Sequence, residues 1–135
     1  MDIEIAKNRL KEFIIAMNNW EIVCYPKLKS DSSEEAYLQM TKDLNFIFNN
    51  FCTKKERKYG RQAALSCGNP PEYSPDEEIL KIEELKGNKV IIYTQQQNRA
   101  KSQFRYTLHY KKHEWRIDKK EVYDKFDNNW DKYPL

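Results

Sequence analysis

The sequence predicts an α+β domain in which N-terminal helices pack on one face of a curved antiparallel sheet. Three observations carry that expectation. From Ile3 to Phe51 apolar residues recur at three- and four-residue steps, the spacing of a helix stripe. Beyond Gly60 the period changes to two, most plainly where Phe104, Tyr106, Leu108 and Tyr110 alternate with Arg105, Thr107, His109 and Lys111. Between two β-branched runs, Lys86-Gly87-Asn88-Lys89 supplies the residues a tight turn wants. The 135 residues suit one compact domain, with no repeat and no linker to divide it.

Taken in order, Ile3, Ala6, Leu10, Phe13, Met17, Trp20 and Cys24 form the first stripe, and Pro26 is expected to end or kink that helix. A second helix is expected after Ser32 or Ser33, either of which can cap it, with Glu34 and Glu35 favourably placed in its first turn. Its stripe is Ala36, Met40, Leu44, Ile47, Phe48 and Phe51. A basic turn or short third helix, Lys54 to Tyr59, would stop at Gly60, because glycine accepts the left-handed conformation past a helix end.

Residues 62–67 (QAALSC) read as one short strand, and residues 68–75, with three prolines, as a rigid loop. Ile79 to Leu85 and Val90 to Tyr93 form a hairpin, and Phe104 to Tyr110 pairs with Trp115 and Ile117 across Lys111 to Glu114. This parity sends Phe104, Tyr106, Leu108, Trp115 and Ile117 toward the helices and Arg105, His109, Arg116 and Asp118 away from them. Lys120 would extend the outward set. The inward hollow is then expected to hold tyrosine hydroxyls and no acid or imidazole.

Composition narrows the function classes. Hydrophobic residues make up 39% and charged residues 33%, but Phe 6, Trp 3 and Tyr 9 supply enough apolar area to form a core. No apolar run nears the roughly 20 residues of a membrane span, and the acidic start Met1-Asp2-Ile3-Glu4 is unlike a secretory signal. Cys24, Cys52 and Cys67 are odd in number and widely spaced, which suits reduced thiols in a cytoplasmic protein better than a disulfide scaffold or a zinc site. Net charge is +3, concentrated in two places: residues 53–61 carry five basic and one acidic side chain, and residues 99–120 carry eight and two.

One further signal comes from longer motifs. Residues 51–61 (FCTKKERKYGR), followed by residues 68–73 (GNPPEY), 90–95 (VIIYTQ), 104–108 and 115–120 (WRIDKK), with Asn19-Trp20-Glu21 before them, resemble the Rhs-associated immunity proteins of bacterial polymorphic toxin systems. The resemblance covers roughly residues 10–123. It implies a cone-shaped α+β roll of nuclear transport factor 2-like (cystatin-like) type, with no catalysis and no cofactor. It also implies tight binding of a cognate toxin domain that protects the producing cell. The last dozen residues, including Trp130, fall outside its pattern.

The residues themselves weigh the same way. General acid–base catalysis needs an ionisable group facing a pocket, and the expected parity offers none, so a small-molecule isomerase or hydrolase of the same fold is the weakest reading. His109 and His113 lie in a strand and a turn without a carboxylate motif, which is no metal site, and no glycine-rich phosphate loop occurs. Nucleic-acid binding by Lys54, Lys55, Arg57, Lys58, Tyr59 and Arg61 is the stronger alternative. A pI near 8.6 nonetheless falls below the value above 9 of a dedicated basic domain. Protein binding fits best. The candidate contact residues are Lys55, Arg57, Lys58, Tyr59, Arg61 and Tyr73 in the central segment and Arg105, His109, Arg116 and Asp118 on the outward sheet face. Tyr59 and Tyr73 fit equally well as loop staples over the core, and a homodimer would form through the same sheet face.

Overall fold

The computed structural model describes residues 2–57, 60–62 and 65–135. Two helices, α1 (Ile3–Ser30) and α2 (Glu34–Phe51), precede five strands. The strands are β1 (Glu78–Leu85), β2 (Lys89–Gln95), β3 (Gln103–Lys111), β4 (Glu114–Asp124) and β5 (Asn129–Tyr133), which gives an α+β fold. The chain falls into two compact units, residues 11–75 and residues 1–10 with 76–135.

Within residues 11–75, Phe13, Met17, Trp20 and Cys24 on α1 are buried as the stripe requires. α2 starts at Ser33, whose hydroxyl accepts the Ala36 N–H at 3.2 Å. Its buried residues are Ala36, Met40, Leu44, Phe48 and Phe51. The two helices are joined through the Trp20 indole N–H, which donates to the Met40 carbonyl at 2.9 Å. The Phe13 ring packs within 5.7–6.2 Å of Phe48, Phe51 and Tyr73, in edge-on and tilted geometry.

In this unit the structure removes one alternative from each of two expectations and corrects a third. Pro26 does not end α1: it removes one donor, yet the helical pattern resumes and the Asp31 N–H still reaches the Lys27 carbonyl at 2.9 Å. No third helix forms over residues 54–57. Cys52 turns extended at the end of α2 (φ −105°, ψ 160°), and the Arg57 guanidinium folds back to bond the Thr53 carbonyl at 3.0 Å and hydroxyl at 3.2 Å. Residues 65–67 carry no strand, while Ala63 and Ala64 of that expected strand lie outside the described residues, as do Lys58 and Tyr59.

The second unit is an antiparallel meander in the order β1-β2-β3-β4-β5. The β1–β2 turn uses positive φ at Gly87 (81°) and Asn88 (59°), the positions the sequence marked for it. The two-residue β3–β4 turn uses the same conformation at Lys112 (51°) and His113 (64°), without a glycine. Arg9 at the start of α1 donates to the Trp115 carbonyl on β4 at 3.3 Å. One sheet face buries Val90, Ile92, Thr94, Phe104, Tyr106, Leu108, Trp115 and Ile117, as the parity predicts.

That parity breaks in β4, and β1 carries a second irregularity, Leu80 standing as an extra residue between Ile79 and Lys81. Thr107 pairs with Lys119 and Leu108 with Ile117, so Asp118 is an extra residue in β4. Every side chain beyond it changes face. Lys120, expected outward, is therefore buried, with its ammonium 4.1 Å from the Phe104 ring centre, 5.3 Å from Tyr106 and 5.0 Å from Tyr133. The inner side is not free of acid either. Buried Glu77 accepts from the Thr94 hydroxyl at 2.6 Å, the Tyr106 hydroxyl at 3.2 Å and the Gln96 amide at 3.3 Å.

Candidate partner-binding face

Alternation leaves the other face of β1–β5 for solvent, and its residues form a connected surface. Directly paired residues of neighbouring strands share a face. Lys81, Tyr93, Arg105, Glu121 and Lys132 therefore form one row across all five strands. Tyr123 and Trp130 form the next pair along β4 and β5.

On β5, at the edge of this face, stands Trp130, half-buried. Its ring lies 5.7 Å from Tyr93 and 5.2 Å from Tyr123, and the Arg105 guanidinium carbon lies 4.6 Å from its centre. Arg105 is fixed by a two-pronged bond to Glu121, at 2.9 and 3.1 Å. That bond holds the Glu121 carboxyl below its ordinary value of 4.5 and raises the Arg105 pKa. The Tyr93 hydroxyl donates to Glu83 at 3.1 Å, and Lys81 covers the Tyr93 ring at 4.4 Å. Tyrosine, tryptophan and arginine are the residue types of interface anchors, and side chains already packed on one another lose less entropy on binding.

The structure brings together four of the sequence-predicted contact residues. Arg105, His109, Arg116 and Asp118 all lie on this face, with His109 opposite Arg116 and its Nε2 3.4 Å from Asp118. The central segment behaves differently. Lys55 is exposed, and Arg57 is bonded to Thr53. Arg61 and Tyr73 are buried, at 6% and 0% exposure, so neither side chain is a free contact surface. Arg61 lies 3.4 Å from Glu21 and 2.5 Å from Glu72, and 5.3 Å over the Tyr73 ring. Burial works against its charge, but Glu21, Tyr73 and Glu72 more than offset that, and its pKa is raised. The Glu21 carboxylate also accepts the backbone N–H groups of Glu72 and Tyr73, at 3.0 Å each, while Asn18 donates to the Tyr73 carbonyl at 2.6 Å. These contacts hold Arg61, Glu72 and Tyr73 against α1. Of the basic cluster offered for nucleic acid, Arg57 and Arg61 are thus engaged within the fold.

Sequence reasoning missed Trp130, Tyr93, Tyr123 and Glu121. The signal was there in residues 126–133 (FDNNWDKY), a turn-forming run followed by alternation, but the strand holds one large apolar residue and little to distinguish it from a tail. Among the described residues no group of three or more His, Cys, Asp or Glu side chains could hold a metal ion. Among the same residues no helix is long and apolar enough to cross a membrane.

An α+β chain with a five-stranded antiparallel meander can be set beside known proteins of that class. The family model of the NTF2 fold immunity proteins matches residues 5–134, and the chain belongs to that family. It is 52% identical over 134 residues to the Immunity protein RhsIA of Dickeya dadantii (strain 3937), covering 99% of this chain and 98% of that one. No solved structure gives a significant match.

Proposed function

We propose that the chain, acting as one immunity domain over residues 1–135, binds and neutralises a cognate Rhs-type toxin domain in the cytoplasm of the cell that makes both. It acts as a stoichiometric plug, without catalysis or cofactor, by covering the toxin's active site or holding it in a harmless conformation. Membership of the immunity family and the 52% identity to RhsIA support the class of activity. The observation that carries the contact surface is the Trp130 ring held by Tyr93, Tyr123 and Arg105 on the outer sheet face. A side chain already fixed by its neighbours pays less ordering entropy on docking.

The test uses this protein and the toxin domain encoded beside its gene. Trp130→Ala is expected to weaken binding, measured by titration calorimetry, by at least about 30-fold, the loss of an anchor. Leu38→Ala with Phe46→Ala, at exposed positions of α2, is expected to leave affinity within about twofold. The reverse pattern would move the docking surface to the helices and overturn the reading.

A further inference from the structure

Charge on the outer sheet face is unevenly used. Two of its carboxylates are paired with arginine, Glu114 with Arg116 and Glu121 with Arg105, while Glu78 and Glu83 accept from the neutral Gln97 amide and Tyr93 hydroxyl and Asp118 faces His109. The lysines are left over. Lys89, Lys111 and Lys132 have no carboxylate within ion-pair distance among the described residues. Register places Lys89 and Lys111 with His109 toward one end of the face and Lys132 beside Glu121 at the other, with Trp130 on the same face. By register Lys81, Lys89, Arg105, Lys111, Arg116, Lys119 and Lys132 outnumber Glu78, Glu83, Glu114, Asp118 and Glu121 on this face, so its net charge is positive.

We infer that the surface received by this face is acidic protein, with Asp and Glu side chains disposed around an apolar patch that seats on Trp130. The inference rests on the docking face proposed above and adds the chemistry of the partner. A second copy of this chain is the poorer occupant, because a two-fold pairing of one face with itself would bring the surplus lysines into each other's field. Nucleic acid is poorer too. The Tyr93 and Tyr123 rings pack edge-on or tilted against Trp130 and Arg105 covers part of that ring, which leaves little open aromatic face for a base to stack on.

The experiment compares Lys89→Glu/Lys111→Glu/Lys132→Glu with Trp130→Ala, binding each to the toxin domain encoded beside the gene at several salt concentrations. The triple reversal is expected to weaken binding at least about tenfold, mainly by slowing association, and to flatten the salt dependence. Trp130→Ala is expected to weaken binding and leave the salt slope unchanged. If Trp130→Ala weakens binding while the triple reversal alters neither affinity nor slope, the acidic-partner inference falls and the docking face stands. If neither variant changes binding, both fall. Tighter binding by the triple reversal would show a basic partner and overturn the inference. So would a dimer of the free protein, seen by sedimentation and dissolved by Trp130→Ala. Tighter binding of single- or double-stranded oligonucleotides than of the toxin domain, lost in the triple variant, would do the same. Circular dichroism melts confirm that each variant is folded before binding is read.

Discussion

The carboxylate of Glu21, with no surface exposed, lies 3.4 Å from the Arg61 guanidinium across forty positions of sequence. This pair fixes Arg61 onto α1, and it reassigns a residue of the basic run from surface to interior. Glu21→Ala leaves Arg61 buried with less compensation and two backbone donors without their acceptor. The expected cost is about 3–5 kcal/mol by urea denaturation, with part recovered in Glu21→Ala/Arg61→Met. A loss under about 1 kcal/mol would show the pair to be incidental.

The β3–β4 turn holds two residues with side chains in the left-handed region, where Asn and Gly are at ease. Lys112→Asn/His113→Gly is expected to stabilise the fold by about 1 kcal/mol in the same assay. Destabilisation would mean that the Lys112 or His113 side chain makes a contact worth more than the strain.

The thiols differ in reactivity. Burial first, and then the neighbouring Cys67 thiol, push the Cys24 pKa up to about 12, so it forms almost no thiolate near neutrality. Cys52 is fully buried, whereas Cys67 is part-exposed. Iodoacetamide added to the native protein should therefore label Cys67 alone, read by peptide mass spectrometry. Native labelling of Cys24 would contradict the packing described.

Acid should loosen the outer face through Glu121. Its folded-state pKa is held below 4.5 by the Arg105 bond, so the stability it contributes is complete above that value and is lost as pH falls through the lowered folded one. Arg105→Gln removes the cause. The gap in melting temperature between this variant and the parent should be widest above pH 4.5 and narrow as the solution is acidified below it. A gap constant with pH would show that Arg105 stabilises by packing alone.

Helix stripes were readable because each residue's face follows from its own spacing: Ala36, Met40, Leu44, Phe48 and Phe51 needed no partner to be placed. Strand parity was readable up to Thr107 and failed at Asp118, since a bulge is a property of two paired strands and leaves no mark in either alone. Lys120 went to the wrong face for that reason. Glu21 sits between Met17 and Cys24 on an apolar stripe, and its burial makes sense only with Arg61 and the Glu72 and Tyr73 amides, which the fold brings from far along the chain. On the candidate face, Arg105, His109, Arg116 and Asp118 followed from alternation. Trp130 did not, because β5 is short and polar and gains its place only by pairing with β4.

Side-chain footprinting with hydroxyl radicals, on the free protein and on its complex with the toxin domain encoded beside the gene, tests the docking face most directly. Trp130, Tyr93 and Tyr123 should oxidise more slowly in the complex, while Phe46, at 71% exposure on α2, reacts at the same rate in both. Protection of Phe46 with Trp130 left as reactive as before would contradict the account.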